Sequence, residues 1–277
     1  MMKRKRCCDK NSNNLLRINM RRVLVNPFFI LAVCLQTIAF LIFALSEYKT
    51  LGILKDQYLY LLDGTCSVGI GMLVIPILSV LPMVSVKDMV GQWDYFTLLR
   101  SSKKSYMLAE ILSAILSGFL VTFFAGLLFL SILFLLGYRG IGFGIGGTLE
   151  SSTYSFSCLN GCLIQSKTEI ILLLRIVVLS FYSAGWPLIL LIISQISINK
   201  YLLLIGPFLV GKIWSIIVVP LGIQKYVDPL WQVLYYSAAA RALTGARVMY
   251  EYAFHVVNIV MLSLIYAMMF RHRLKMN

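Results

Sequence analysis

The chain has 277 residues, of which 60% are hydrophobic and only 13% charged, and its mean hydropathy is +0.85. Soluble domains average about 45–50% apolar and about 25% charged residues, so this composition excludes an ordinary soluble protein and predicts an all-α integral membrane protein. The formal net charge of +14 would favour nucleic-acid binding in a soluble chain. Here the basic residues flank apolar runs, which favours contact with anionic lipids and no nucleic acid.

The N-terminal segment, residues 1–26, is basic and amphipathic. It mixes apolar side chains such as Leu15 and Val23 with three arginines over residues 15 to 25, so we expect it to lie along the inner leaflet. Asn26 followed by Pro27 predicts a helix start, with Asn as the cap and Pro in the first helical position.

Six apolar runs are long enough to cross a bilayer core of about 30 Å as helices. If the basic loop between the second and third runs is inside, 16 Lys and Arg residues lie on the inner side and 7 on the outer side. This imbalance predicts a multi-pass membrane protein with both termini in the cytoplasm, including the tail at 271–277. The predicted spans are 27–46, 66–86, 106–138, 169–196, 201–223 and 252–270.

The loop from Lys87 to Tyr106 is a polar island between two uncharged apolar runs. Met89, Trp93, Phe96 and Leu99 recur at i, i+4, i+7 and i+10, which predicts a short amphipathic helix on the cytoplasmic face. In this position the helix can be moved by a soluble partner protein that binds it.

Two basic residues fall inside predicted spans, and each allows two interpretations. Arg175 either extends its side chain to the outer head groups or lines a polar cavity. Lys212 lies about eleven residues from either end of its span, which is about 16 Å at the helical rise. It either faces a water-filled or protein-lined interior, or the span is broken at Gly206-Pro207 and Lys212 is shallower.

The outer segments contain few chemical signals. Cys66, Cys158 and Cys162 are placed at or outside the outer face, where one pair could form a disulfide. Asp228-Pro229 predicts the start of an outer interfacial helix that Gly245 ends. His255 is expected near the outer end of the last span, as a hydrogen-bonded interfacial histidine or, alternatively, as a ligand or proton relay.

The sequence contains no paired carboxylates, no H-E-x-x-H, no G-x-S-x-G and no Cys/His cluster in or beside the spans. Gly206 to Lys212 nearly matches a phosphate-binding P-loop, but Ile213 replaces the hydroxyl residue that the motif needs. We therefore predict no catalytic, metal or cofactor site in this chain, and no enzyme activity.

The six spans, the basic N-terminal segment and the island together resemble the permease subunit of a bacterial, six-span ABC-2 type ABC transporter. The most specific part is Gly91, then Leu98-Leu99-Arg100, then Lys103-Lys104-Ser-Tyr106, which is similar to the family's path into span three. The stretch RINMRRVLVNPFFIL resembles the family's path into span one. The chain differs in having Ser101-Ser102 where a Pro is usual, and Glu110 where the family often has Lys.

The resemblance implies a permease that dimerises with itself or a relative and binds a separate ABC ATPase subunit, which holds ATP and Mg²⁺. It implies that the island is the coupling helix seated in a groove of the ATPase. The alternative for Trp93, Phe96 and Leu99 is that they only anchor the loop in the inner leaflet. The candidate contacts are Met89, Gly91, Trp93, Phe96, Leu99 and Arg100.

On this resemblance we expect outward transport of an amphipathic or lipophilic substrate, such as a peptide antibiotic, a drug or a lipid-linked molecule. Large apolar spans with few intramembrane charges favour such a substrate over a simple ion. The alternative is a membrane scaffold or regulatory subunit that transports nothing.

Overall fold

The computed structural model describes residues 15–51, 73–90, 102–135, 168–197, 199–229 and 245–276. Every regular element in these ranges is a helix, and none of the residues described forms a strand. The helices are α1 (Leu15–Leu24), α2 (Pro27–Leu51), α3 (Ile75–Val90), α4 (Lys103–Leu135), α5 (Thr168–Ser194), α6 (Lys200–Val218), α7 (Gln224–Val227) and α8 (Gly245–Met276).

The described residues confirm the predicted all-helical fold class as far as they extend. Four of their helices contain segments long and apolar enough to cross a membrane, which indicates a membrane protein. The bent pair α1 and α2 counts as a fifth if it is taken as one span, and α3 contributes a shorter apolar helix over Ile75–Ser85. The structure does not test the prediction of six spans. Residues 52–72, which include the start of the second predicted span and part of the loop before it, lie outside the described ranges. The four segments are Lys103–Leu133, Ile176–Ser194, Lys200–Val218 and Tyr252–Arg273.

The chain turns sharply between α1 and α2, where their axes differ by 54°. The Asn26 side chain accepts a hydrogen bond from the backbone N–H of Phe28 at 3.0 Å, so the predicted cap at Asn26 and the helix start at Pro27 are confirmed. Leu15 and Val23 are buried in the core, whereas the three arginines of α1 are exposed. The first helix is therefore amphipathic, and its apolar side packs on the bundle.

Helix α5 lies at the centre of the bundle. It packs against α3, α4, α6 and α8, and 67% of its apolar segment is buried, against 28% for α6 and 17% for α8. Contacts of Gly118 with Ser183 and Pro187, and of Gly126 with Ile176, show that α4 and α5 run antiparallel. The exposed apolar faces of α6 and α8 lie at the edge of the bundle, where a membrane would supply lipid.

Helix α6 ends earlier than the sequence predicted. The predicted span reaches Ile223, but the helix ends at Val218 and a turn follows, in which Gly222 has φ of +66°. Pro220 explains the early end, because it has no backbone N–H to donate to the Ile216 carbonyl, whereas Val219 before it is still helical and bonds the Ser215 carbonyl. Beyond the turn the chain folds back onto α6, where the Trp214 indole donates to the Val227 carbonyl at 3.2 Å.

The last helix also differs from the prediction. It begins at Gly245, where the sequence suggested that an outer helix would end. A helix that starts at Asp228-Pro229 is not tested, since residues 230–244 lie outside the described ranges. Contacts of Phe181 with Tyr252 and of Gly185 with Leu262 show that α8 runs parallel to α5.

Candidate functional site

The predicted coupling residues fall mostly outside the part of the chain that the structure describes. Gly91, Trp93, Phe96, Leu99 and Arg100 are all outside it, and so is the side chain of Met89, which lies in the last turn of α3. The far side of the island is described. There the Ser102 hydroxyl accepts from the backbone N–H of Ser105 at 3.1 Å and caps α4.

Basic side chains gather at the end of the bundle where α4 begins. The antiparallel and parallel pairings place the start of α6 and the end of α8 at this same end. The α1–α2 bend is held there by the hydrogen bond from Asn26 to Ser85, near the end of α3. All eight of the following residues are exposed: Arg17, Arg21, Arg22, Lys103, Lys104, Lys200, Arg271 and Arg273. This concentration of positive charge is typical of a cytoplasmic membrane face.

A buried hydrogen bond joins the α1–α2 bend to the start of the island. The Asn26 amide donates to the Ser85 hydroxyl at 2.6 Å, and Ser85 donates to the Pro82 carbonyl of its own helix at 2.7 Å. Ser85 precedes the island's first residue, Lys87, by two positions. This hydrogen bond connects the end of α3, which leads into the island, with the bend that follows α1.

A buried carboxylate, that of Glu110, lies at the same end of the bundle. Together with Tyr106, Tyr266 and Phe270 it forms what we call the carboxylate cluster. Both Tyr106, from α4, and Tyr266, from α8, donate their hydroxyls to Glu110, at 3.0 Å in the case of Tyr106. Phe270 stacks on Tyr106 with ring centroids 6.0 Å apart. Glu110 falls near the start of the predicted span 106–138, but its partners were not identified from the sequence. The i, i+4 spacing of Tyr106 and Glu110 is a signal for one of them, and nothing local signals Tyr266.

A chain of hydrogen bonds crosses the middle of the bundle. The Gln36 amide of α2 donates to the Thr122 hydroxyl of α4 at 2.9 Å, and Thr122 donates to the Ser183 hydroxyl of α5 at 2.7 Å. Ser183 in turn donates to the Gly118 carbonyl of α4. All of these side chains are fully or almost fully buried, and the Gln36 carbonyl oxygen has no hydrogen-bond partner among the described residues.

A cavity of about 440 Å³ lies between α5, α6 and α8. Its volume falls within the range of about 300–1,000 Å³ that is usual for small-molecule sites. The residues described around it are mainly apolar, with Lys212, Asp228, Ser215 and Asn258 as polar members. The Ser215 hydroxyl donates to the Asp228 carboxylate at 3.1 Å, and Asp228 is only 6% exposed.

Lys212 lies on the wall of this cavity and is exposed. Helix α6 runs unbroken through Gly206-Pro207, so the structure does not contain the break that one interpretation required. Because α6 ends at Val218, Lys212 is only six residues from its end, about 9 Å at the helical rise. Arg175 lies in α5, but its side chain is outside the described part of the chain.

His255 differs from the sequence prediction. It is only 1% exposed, and neither ring nitrogen has a hydrogen-bond partner among the described residues, so it is not the hydrogen-bonded interfacial histidine that was expected. Its ring packs on Tyr182 and Phe254, with centroids 6.0 and 5.7 Å away. Sequence position alone could not show that this face of α8 turns towards α5.

No three His, Cys, Asp or Glu residues in the described ranges are grouped so that they could hold a metal ion. Comparison with protein-family models, curated proteins and solved structures gave no match to this chain.

Proposed function

We propose that this chain is the membrane-spanning permease subunit of an ABC-2 type exporter in the cell membrane. It moves an amphipathic or lipophilic substrate outward, works as a dimer with itself or a related permease, and is driven by a separate ATPase that binds ATP and Mg²⁺. Six spans with both termini in the cytoplasm are part of the proposal.

The observation that carries the proposal is the joint at the basic end of the bundle. The 54° bend after α1 and the buried Asn26–Ser85 hydrogen bond put an amphipathic helix beside the segment that enters the island. A separate ATPase that binds the island can move α1 and α2 only if the island is connected to them. The Asn26–Ser85 hydrogen bond supplies that connection in our proposal. The exposed basic residues at this end support a cytoplasmic location.

In the proposed mechanism the ATPase binds the island. Trp93, Phe96 and Leu99 fill a groove of the ATPase, and Arg100 pairs with an acidic group there. When ATP draws two ATPase subunits together, the two islands move with them. That motion passes through α3 and the Asn26–Ser85 joint to α1 and α2 and opens a path between protomers.

The test is affinity purification of the tagged chain from its own host in mild detergent, with mass spectrometry of the proteins that come with it. The expected result is a stoichiometric soluble ATPase that contains a P-loop. Gly91→Trp should abolish this association, because a large side chain in the island would block the groove. Leu221→Trp, which adds the same side chain at an exposed position on the opposite end of the bundle, should leave it intact.

A charge variant separates the ATPase contact from simple anchoring in the leaflet. If Arg100 pairs with the ATPase, Arg100→Glu should release the ATPase while the amount of chain in the membrane stays unchanged. If the island only anchors in the leaflet, that variant should leave any bound ATPase in place. A well-folded chain that repeatedly purifies without an ATPase would contradict the proposal and favour the scaffold or regulatory function.

A further inference from the structure

The cavity between α5, α6 and α8 opens on the surface of the bundle that a membrane would cover. Helix α5 packs against both other helices and contributes part of the wall. Several apolar residues line the cavity and are also 44–56% exposed: Val210, Ile213, Trp214 and Ile217 of α6, and Met261 of α8. Their exposure shows that the cavity is not sealed on this side, and a membrane would place lipid chains at the opening.

The cavity lies in the half of the bundle away from the basic end. Helix α6 starts at the basic end, whereas its residues that line the cavity run from Phe208 to Ile217, close to the helix end at Val218. The return segment 227–229 beyond α6 also contributes to the wall. A molecule dissolved in this half of a bilayer can therefore reach the cavity without passing the basic residues.

The size of the cavity indicates a slender occupant. An α-helix about 10 Å across with a pitch of about 5.4 Å fills about 420 Å³ per turn. The cavity of about 440 Å³ could hold little more than one such turn, which excludes a helix of a partner or of a second copy. This volume is also near the lower end of the usual range for small-molecule sites, which favours one hydrocarbon chain over two.

Asn258 brings an unpartnered hydrogen-bonding group to the cavity. It lies within the apolar segment of α8, six residues or about 9 Å from Tyr252 at the helical rise. Its side chain is half-buried and lines the cavity, and its amide has no hydrogen-bond partner among the described residues. Polar side chains inside a membrane are costly and typically mark ligand pathways. This amide can both donate to a ligand and accept from it.

The two charged residues of the wall do not require a charged ligand. Lys212 and Asp228 line the cavity, but both already interact with other groups of the protein. An ionised ligand would have to be paired in this apolar site, at a high cost if it is not. An uncharged polar group needs only a hydrogen bond, which Asn258 offers.

We propose that this cavity binds one uncharged, single-chain lipophile that carries a hydrogen-bonding group. The polar group bonds the Asn258 amide, and the chain extends towards Phe208 and Ile265, on the side nearest the basic end. The inference rests on the proposed function only in treating this ligand as the exported cargo. Binding itself requires neither ATP nor an ATPase, so its failure and the failure of the transport proposal are distinguishable.

Tryptophan fluorescence provides a direct binding test. The chain has four tryptophans, and Trp186 and Trp214 line the cavity. With Trp93 and Trp231 replaced by Phe, the chain in lipid nanodiscs would be titrated with octadecanol brominated in the middle of its chain. We expect saturable quenching at one molecule per chain. Quenching that rises linearly without saturation would overturn the proposal, because it reports only partition into the bilayer.

The nature of the polar group is tested with probes that share one brominated chain. At equal mole fraction in the bilayer, the alcohol should bind about tenfold more tightly than the hydrocarbon without a hydroxyl. It should also bind more tightly than the alkyl sulfate and the alkyltrimethylammonium. Equal or tighter binding of either charged probe would overturn the assignment of an uncharged ligand. This comparison leaves the cavity unaltered, so it does not depend on the folding of a variant.

Two positions of α8 provide a matched pair for the hydrogen bond. Asn258→Leu nearly keeps the size of the side chain but removes the amide, so it should weaken binding of the alcohol about tenfold and leave that of the hydrocarbon unchanged. Ser263→Ala should change neither, because the Ser263 hydroxyl bonds the Ile259 carbonyl of its own helix and does not line the cavity. Undiminished binding of the alcohol to Asn258→Leu would contradict the role of this amide.

Neighbouring positions on α8 provide a second matched pair, for the chain of the ligand. Ile265 lines the cavity, whereas Leu264 is 54% exposed and does not. Ile265→Phe should weaken binding by about tenfold by filling the end where the chain lies, and Leu264→Phe should leave it unchanged. Equal effects of the two variants would contradict the placement of the chain.

Native mass spectrometry identifies where the ligand comes from. An uncharged single-chain lipophile retained on the chain from host membranes would identify the membrane as the source. Binding only after the alcohol is added would identify an external supply. Both results support the ligand class, whereas retention of only charged or two-chain lipids that the alcohol does not displace would contradict it.

Discussion

The side of α5 that faces α4 is closely packed, whereas the side that faces α8 borders a cavity. Towards α4, glycines allow such close approach that a Cβ at Gly118 would lie 2.6 Å from the Ser183 carbonyl oxygen, and one at Gly126 would lie 2.8 Å from Ile176. Towards α8, a Cβ at Gly185 would have ordinary contacts, the nearest at 3.7 Å from Leu262. The first side is closed, and the second borders the cavity of about 440 Å³.

The difference shows that one helical bundle can contain both a close helix contact and a cavity. In lipid there is no hydrophobic force between helices, so close packing of small residues and interhelical hydrogen bonds have to hold them. The α4–α5 contact has both. The Ser183 carbonyl, which loses its usual helical donor because Pro187 has no N–H, lies directly against Gly118. The α8 side has only ordinary contacts at Gly185 and borders the cavity, although Gly206 and Gly211 of α6 approach Ile193 and Trp186 of α5 as closely as α4 does.

The largest loss of stability is expected when a methyl group is added at the close contact between α4 and α5. Gly118→Ala should lower the free energy of unfolding by about 3 kcal/mol, because the new methyl meets a backbone oxygen that cannot move aside. Unfolding in mixed micelles by SDS titration would measure it. Gly185→Ala, on the open side of α5, should cost almost nothing; equal losses in the two variants would show that the two sides do not differ.

The next largest effect concerns the attachment of α8. Tyr266→Phe removes one of the two hydroxyl donors to the buried Glu110 that the structure describes, which should cost about 2 kcal/mol in the free energy of unfolding. Tyr201→Phe is the control, since that tyrosine is 68% exposed. If both variants unfold alike, the carboxylate cluster does not hold α8 to α4.

The smallest effect is expected for the hydrogen-bond chain on the closed side. Thr122→Val keeps the shape of the side chain but removes the hydroxyl between Gln36 and Ser183, and should cost about 1 kcal/mol in the same titration. Ser131→Ala is matched to it, because the Ser131 hydroxyl bonds only the Leu127 carbonyl of its own helix. A loss in Ser131→Ala as large as in Thr122→Val would contradict this role.

Local signals in the sequence predicted the framework of the bundle. The apolar runs predicted helices of membrane length, and Asn26-Pro27 predicted the start of α2, because these properties depend on neighbouring residues. Two further signals were present but not used. Pro220 marks the end of α6, and the spacing of Ala114, Gly118, Thr122 and Gly126 at every fourth residue marks the face of α4 that packs on α5.

The rest could not be predicted from local patterns. Ser85 is 59 residues from Asn26, and Tyr266 is 156 residues from Glu110, so these pairs exist only once the helices have packed. The cavity depends likewise on where three helices fail to fill space, and on the return of Asp228 to Ser215 after the turn at Gly222. Sequence reasoning identified Lys212 as unusual but could not show what it faces.

One measurement tests the central claim most directly. The chain, together with the ATPase that purifies with it, would be reconstituted in proteoliposomes, and the transfer of a labelled amphipathic substrate across the bilayer would be followed. The account predicts transfer that requires ATP and is lost in Gly91→Trp. Transfer at the same rate without ATP, or unchanged in Gly91→Trp, would contradict it.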